Sequence, residues 1–363
     1  MTPKFDKVHN RFKYNGHHFD HEELKEVAYS LIKEGEPYEQ VTGDFLIDWL
    51  NDKDHLYVKT SGSTGAPKNI RLLKQAMVNS AIATGDFFGL QPGDKALDCL
   101  PAHFIAGKMM LVRAMILGLE IDIVEPSAHP IFDYEKHYQF CAMIPLQLKN
   151  TLSYVNNIET MIVGGSKVTK PLLDKIKQCP NRFYETYGMT ETITHVAVRQ
   201  LKSKDYPGED QFNALPNVQF SLDDRNCLII HAPNLIDEAL ITNDIVELKG
   251  EKAFKWKGRF DNVINSAGVK LYPEQIEDKL QQHIDHRYIV AGIDDEALGE
   301  KLVLIVEDAN LDTNDLLDRI NQDKEFTKFE IPKLVLKSEK FVQTVNGKIQ
   351  RNRTLKEALR TLN

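Results

Sequence analysis

Between residues 56 and 187, short apolar runs alternate with stretches of helical periodicity, and this constrains the fold more than any other feature. Residues 56–59 are followed by 73–88, and 96–100 by 108–117. Residues 120–124, 140–144, a helix opened by Pro145, and 160–163 continue the series. Such alternation predicts parallel strands covered by helices. Ligands of such sheets bind beyond the carboxyl ends of the strands. Two glycine-rich turns, after Val58 and after Val163, are expected at such ends.

On either side the pattern changes. Leu24, Val27, Ala28, Leu31 and Ile32 recur at helical spacing, Asp20 and Glu23 have the form of a capping box, and Gly35 with Pro37 beyond it marks the expected end. Helical periodicity is lost between Ala197 and Trp256. Residues 217–222, 227–231, 241–248 and 253–256 read as short strands of a small antiparallel subdomain. After Lys257 a helix at 273–282, strands at 287–292 and 301–306 and a helix near 313–321 suggest a compact α+β unit. The polar run Gly258-Arg259-Phe260-Asp261-Asn262 is the expected linker.

Composition narrows the function classes. A chain of 363 residues, 42% apolar and 27% charged, has the profile of a soluble globular protein of two or three domains. A net charge of −8 leaves no basic footprint for nucleic acid. Cys99, Cys141, Cys179 and Cys227 form no Cys-x-x-Cys and read as reduced thiols. His17, His18 and His21 lie in a polar stretch and read as solvent-exposed rather than metal-binding. Residues 1–10 lack the apolar core of a signal peptide, and the apolar run 109–124 is broken by Arg113, Glu120 and Asp122. A cytoplasmic protein without a membrane span is expected.

The most informative segment is Thr60-Ser61-Gly62-Ser63-Thr64-Gly65-Ala66-Pro67-Lys68. Its glycines allow close backbone approach to an anion, and its hydroxyls and lysine add donors and positive charge. It lacks the Gly-Lys-Ser/Thr ending of nucleoside-triphosphatase P-loops. A flexible Ser/Gly connector is the alternative. A strand expected before it and a helix after it favour phosphate binding.

This loop resembles the phosphate loop of the adenylate-forming superfamily, which includes acyl-CoA synthetases, luciferases and peptide-synthetase adenylation domains. Further motifs follow in the family's order. Tyr187-Gly188-Met189-Thr190-Glu191-Thr192 resembles the second signature and Thr242-Asn243-Asp244 the ribose-binding motif. Gly258-Arg259-Phe260-Asp261-Asn262-Val263-Ile264 resembles the hinge, and Gly347-Lys348-Ile349-Gln350-Arg351 the catalytic-lysine loop.

The resemblance implies an α/β protein: a large N-terminal domain (1–257) with mainly parallel sheets and a small β-rich subdomain, a hinge (258–262) pivoting at Asp261, and a small mobile α+β C-terminal lid (263–363). It implies ATP, Mg²⁺ and coenzyme A as substrates and activator, and a carboxylate as the acid partner. Thr60, Ser61, Gly62, Ser63, Thr64, Gly65 and Lys68 would cradle phosphate. Tyr187 and Gly188 with Gly164, Gly165 and Ser166 would face adenine, and Asp244 and Arg259 the ribose. Thr190 would bond the α-phosphate, Glu191 would ligate magnesium, and Lys348 would neutralise charge as the carboxylate attacks. Taken singly, Tyr187 reads as a core aromatic, Glu191 as a helix-surface acid, Asp244 as a turn residue, and Arg259 and Lys348 as solvated charges.

The phosphate loop sits near residue 60, where relatives usually have a much longer preceding segment, so most of an N-terminal subdomain reads as missing. That compactness resembles the o-succinylbenzoate–CoA ligases of menaquinone biosynthesis. So do the phrases Lys74-Gln75-Ala76-Met77 and Leu100-Pro101-Ala102-His103-Phe104-Ile105-Ala106-Gly107-Lys108. The acyl pocket would then include His103, Phe104 and Gly107. Arg113 is the candidate for a second carboxylate, with an internal ion pair or a surface position as its alternative and Lys108 and His103 behind it. Asn243 replaces a family glycine, Ala267 replaces one of a glycine pair, and Val345-Asn346 stand before Gly347 where the family usually has Leu-Pro. Another aryl- or short-chain acyl-CoA synthetase, an adenylation domain serving a carrier protein, and a non-catalytic nucleotide-binding homologue compete with this reading. A homodimer is open.

Overall fold

The computed structural model describes residues 3–59, 69–343 and 349–360. Near the start, β1 (Lys13–Tyr14) and β2 (His17–His18) form a small hairpin, with His17 and His18 exposed. Helix α1 (His21–Glu34) begins with the expected capping box, in which the Asp20 carboxylate accepts from the amides of Glu22 and Glu23, each at 2.9 Å. It stops at Gly35, but Pro37 does not mark open loop. It opens a second helix, α2 (Pro37–Leu50), which the sequence reading missed. Proline suits the first helical turn, where its missing N–H has no intrahelical partner. Phe45, Leu46, Trp49 and Leu50 bury the inner face of α2.

The two helices touch backbone to side chain at Gly43. A Cβ there would lie 2.6 Å from the Ala28 carbonyl oxygen and 2.9 Å from Ile32 Cγ1. Gly43→Ala should therefore destabilise the fold. Overpacking costs about 1–3 kcal/mol, against about 1 kcal/mol gained in helix propensity. Calorimetry should show a midpoint lowered by a few degrees. An unchanged or raised midpoint would mean that α1 and α2 can part freely.

Next come β3 (His55–Lys59) and β4 (Asn69–Leu73), which pair antiparallel from His55↔Leu73 to Lys59↔Asn69. This corrects the expectation of a parallel strand leading directly to a helix. Residues 69–73 alternate exposed and inward-facing side chains, the signature of a strand. β3 and β4 thus form a two-stranded sheet outside the main one.

Helix α3 (Lys74–Phe88) leads into the parallel region. It comprises β5 (Lys95–Asp98), α4 (Ile105–Leu117), β6 (Glu120–Ile123), β7 (Tyr138–Met143), α5 (Pro145–Thr151), β8 (Ile158–Val163), α6 (Lys170–Ile176) and β9 (Arg182–Gly188). Strands β6, β5, β7, β8 and β9 lie side by side and all parallel, as the alternation predicts. α4 is largely apolar and covered; Met109 through Ala114, with Arg113 among them, are nearly inaccessible.

The chain then turns antiparallel through β10 (His195–Gln200), β11 (Phe212–Ala214), β12 (Gln219–Leu222), β13 (Cys227–His231), β14 (Leu240–Leu248) and β15 (Ala253–Arg259). These strands do not form a sheet of their own. β11 bridges β10 and β15, so the antiparallel strands extend the parallel ones into a single thirteen-stranded sheet. One aromatic cluster joins them: Phe212 stacks on Phe254, and Tyr187 and Phe220 meet Phe254 edge-on.

From Ile264 onward the chain builds a five-stranded sheet from β16 (Ile264–Ser266), β17 (Val269–Leu271), β18 (Tyr288–Asp295), β19 (Gly299–Val306) and β20 (Leu334–Lys337). Helices α7 (Pro273–Leu280), α8 (Thr313–Gln322) and α9 (Arg351–Arg360) accompany it. The fold class is the expected one, an α/β sheet protein with a C-terminal α+β unit. All four cysteines are free. Among the described residues, no helix is long and apolar enough to cross a membrane.

Candidate active site

The site lies along the carboxyl edge of the parallel strands. β8 ends at Val163 opposite Glu185, and β9 runs on through Thr186, Tyr187 and Gly188. Gly164 lies tight against this extension, since a Cβ there would meet Thr186 Oγ1 at 2.3 Å. The Gly164-Gly165-Ser166 turn and Tyr187 are therefore neighbours. Ser166 is exposed, and Tyr187 is only partly covered.

Asp244 draws the antiparallel strands into the same place. The β14–β15 hairpin pairs Asp244 with Arg259, and the Asp244 amide donates to Thr242 Oγ1 at 3.0 Å. The Asp244 carboxylate accepts from the Tyr187 hydroxyl at 2.7 Å and from Trp256 Nε1 at 3.2 Å. Arg259 Nη1 stands 3.6 Å away. Burial, then the charge of Asp244, pushes the Tyr187 hydroxyl well above its ordinary range, so it stays a donor. Asn243, the departure from the family glycine, has a structural role. Its oxygen accepts from Arg225 Nη1 at 3.0 Å, and its amide nitrogen faces both Asp261 oxygens at 3.3 and 3.4 Å. Arg259 Nη2 reaches Asp261 at 3.3 Å.

Beyond Gly188 the chain makes a 3-10 turn over Thr190–Thr192 and returns as β10. The return is close, because a Cβ on Gly188 would lie 2.2 Å from the Thr194 carbonyl oxygen. Thr192 Oγ1 holds the turn from inside, bonding Met189 and the Thr194 carbonyl. Thr190 is half-buried and Glu191 exposed. Among the described residues, neither side chain has a hydrogen-bond or ion-pair partner.

His103, Phe104 and Gly107 sit where β5 gives way to α4, on the same edge of the sheet. The exposed rings of His103 and Phe104 meet edge-on at 5.3 Å. Arg113, further along α4, is 1% exposed. It donates to Thr194 Oγ1 at 3.1 Å, and its Nε has no partner. Of its three readings, burial removes the surface position. Lys108 is partly covered, with its ammonium 4.7 Å from the centre of the Phe45 ring, and burial lowers its pKa. Thr60, Ser61, Gly62, Ser63, Thr64, Gly65, Lys68 and Lys348 lie outside the described residues.

Sequence reasoning missed several neighbours of these residues. Trp256 was read only as a strand residue, although a hairpin turning at Gly250 brings it close to Asp244. Thr194 and His195 carried no motif. Lys167 follows the Gly-Gly-Ser turn and reaches across to α7, where it pairs with Asp278. Nearby, the Lys170 amide donates to Gln281 Oε1 at 2.6 Å, and Asn262 bonds Glu274.

The AMP-binding enzyme profile matches residues 25–227, more than half of the chain. The chain belongs to the AMP-binding enzyme family and is an adenylate-forming acid–thiol ligase, a class whose members use ATP, Mg²⁺ and coenzyme A. It is similar to an acyl-CoA synthetase (AMP-forming)/AMP-acid ligase II-like protein of Dyadobacter fermentans, 34% identical, with 92% of this chain and 98% of that one covered and a TM-score of 0.60. The 2-succinylbenzoate–CoA ligase of Listeria monocytogenes serovar 1/2a is 25% identical over 361 residues, 91% of this chain and 75% of that enzyme. The fold is shared with the O-succinylbenzoate coenzyme A synthetase of Bacillus subtilis in complex with ATP and magnesium, at 19% identity and a TM-score of 0.69, covering 82% and 69% of the two chains.

Proposed function

We propose that this protein converts o-succinylbenzoate to its CoA thioester through an acyl-adenylate. In the first step a carboxylate oxygen bonds to the α-phosphorus of ATP as the bond to pyrophosphate breaks. In the second, the CoA sulfur bonds to the acyl carbonyl carbon, AMP leaves with the shared oxygen, and the thiol proton passes to solvent. The observation that carries the ligase reading is the convergence of Tyr187, Asp244 and the unpartnered Thr190 and Glu191 on one sheet edge. Tyr187 and the Gly164-Gly165-Ser166 turn offer a surface for adenine, Asp244 and Arg259 acceptors and donors for ribose, and Thr190 a hydroxyl for the α-phosphate. The Glu191 carboxylate suits a hard cation. Among the described residues no cluster of three or more His, Cys, Asp or Glu side chains could hold a metal. A magnesium ion held through Glu191 would take further oxygens from the substrate and would supply charge neutralisation.

The choice of acid rests on the names of the relatives and on the residue phrases around His103 and Lys74. His103, Phe104 and Gly107 would line the acyl pocket. With Arg113 enclosed, Lys108 becomes the better cation for a second carboxylate. That same enclosure favours a second reading, an aryl- or short-chain acid with one carboxylate.

We also infer a pivot at Asp261 between units 1–257 and 263–363. Among the described residues, no apolar cluster contains side chains from both sides of 257–263. Contacts between the units include polar ones, such as Lys167 to Asp278 and the Lys170 amide to Gln281. Polar contacts re-form with water at little cost, as a pivot requires.

Mass spectrometry of products from ATP, Mg²⁺, CoA and a panel of acids tests the function. o-Succinylbenzoyl-CoA with AMP is expected. Turnover of another acid alone would keep the ligase and discard this substrate. Neither adenylate nor thioester from any acid would favour a non-catalytic nucleotide-binding role.

A further inference from the structure

The turn carrying Thr190 and Glu191 contains an unusual residue. Ile193 has φ +68° and ψ −55°, and its side chain is 1% exposed within the core. A β-branched residue avoids positive φ because its Cβ substituents crowd the backbone. Such a conformation persists only where the surroundings over-determine it. The local bonds are Ile193 N–H to the Thr190 carbonyl at 3.0 Å and Thr194 N–H to the Thr192 carbonyl at 2.8 Å. Thr194, the next residue, is held from outside the turn. Its hydroxyl accepts from Arg113 Nη2 at 3.1 Å and lies 3.3 Å from His195 Nδ1.

Arg113 comes from α4, remote in sequence, and its position is costly. Burial pulls its guanidinium down to about 10 and raises the nearby Asp98 carboxyl to about 8. Burial also lowers His195, with the Arg113 charge adding to the effect. Met109, Met110, Leu111, Val112, Ala114 and Met115 surround Arg113 on its own helix, and a methionine would fill the space without burying a charge. What a methionine lacks is the donor to Thr194.

We propose that Arg113 is a positioning residue that braces the Met189–Thr194 turn through Thr194 and so sets where Thr190 and Glu191 meet the triphosphate and its metal. This rests on the ligase reading above, in which those two side chains act at the α-phosphate. Displacement of a positioned group by about 1 Å can cost on the order of 10²-fold in rate.

Two measurements on Arg113→Met, Arg113→Lys, Thr194→Val and the Arg113→Met/Thr194→Val double variant test it. Hydrogen exchange needs no substrate. The amides of Thr192, Ile193 and Thr194 should exchange at least about tenfold faster in Arg113→Met and Thr194→Val, with α1 unchanged, because only the brace is removed. In acid-dependent pyrophosphate release, kcat should fall about 10–100-fold, with the KM for the acid little changed. Arg113→Lys should recover part of the loss. The double variant should be no worse than the single ones, since both cut the same contact. Unchanged exchange in both single variants would overturn the proposal. So would a large rise in acid KM with kcat intact in Arg113→Met, which would place the guanidinium on the substrate. Thr194→Val carries the test if Arg113→Met does not fold. A wild-type protein inactive with every acid would remove the ligase reading, while exchange would still decide the brace.

Discussion

Lys348→Ala is expected to lower acyl-adenylate formation about 10²–10³-fold, the loss typical of removing one preorganised donor from a developing charge. Lys348 itself lies outside the described residues, but its flanks show what would carry it. Gln343 bridges to Ile349, the Gln350 amide donates to the Val342 carbonyl at 2.8 Å, and the Val342 amide to Thr354 Oγ1 at 3.1 Å. Arg351, opening α9, pairs with Glu277 on α7 and donates to the Val290 carbonyl at 2.6 Å. The base of the loop is thus built into the C-terminal unit, and the lysine would travel with that unit. If the unit serves adenylation in one orientation and thioester formation in another, the two half-reactions should separate. Pyrophosphate release should collapse in Lys348→Ala, while thioester formation from supplied acyl-adenylate and CoA stays within several-fold of wild type. Equal loss in both would refute the division of labour.

Asp244→Ala should damage both binding and stability. Its carboxylate is 6% exposed and takes the Tyr187 hydroxyl and the Trp256 indole, with Arg259 beside it. Removing it strands two donors and leaves Arg259 with Asp261 as its one remaining carboxylate among the described residues. Each stranded polar group costs about 1–3 kcal/mol. A total near 3 kcal/mol corresponds to a thermal midpoint lowered by about 4 °C in a chain of this size. The same carboxylate is the proposed acceptor for ribose hydroxyls. kcat/KM for ATP should therefore fall about 10²-fold, since hydrogen bonds to charged groups are worth about 1.5–3 kcal/mol each. Asp244→Asn keeps an acceptor and should lose less on both counts. Wild-type melting together with wild-type ATP use in Asp244→Ala would remove Asp244 from the site.

The legible parts of the chain were those governed by local rules. The capping box at Asp20 and Glu23 and the parallel strands β5 to β9 follow from hydrogen-bonding groups and periodicities carried by neighbouring residues. The failures also share a cause. Pro37 was read as a stop signal, although the same ring begins a helix equally well, and only packing against α1 decides between the two. Residues 69–72 were given no element and Leu73 was placed in the following helix, because a short strand is defined by its partner, here β3. The strands after Ala197 were read as a small antiparallel subdomain and are antiparallel, but nothing local records that β11 will pair with both β10 and β15 and so join them to the parallel strands.

The site divides in the same way. Tyr187, Thr190, Glu191, Asp244 and Arg259 were found as motif members, each with an unremarkable reading when taken alone. Their convergence is a tertiary fact: β14 and β15 deliver Asp244 to the hydroxyl of Tyr187, and the indole of Trp256 completes the contact. Arg113 shows the limit most clearly. An arginine amid methionines, leucine and valine announces a buried charge in need of partners, and the sequence goes that far unaided. Whether the partner is a substrate carboxylate or Thr194 depends on where α4 lies against the end of β9. Backbone periodicity and short-range hydrogen bonding determined most of the elements, and the resemblance of the ordered motifs to a known family carried the class of chemistry. Side-chain packing between distant segments, which is non-directional and sums over many weak contacts, decided which of those elements meet and which polar groups face one another.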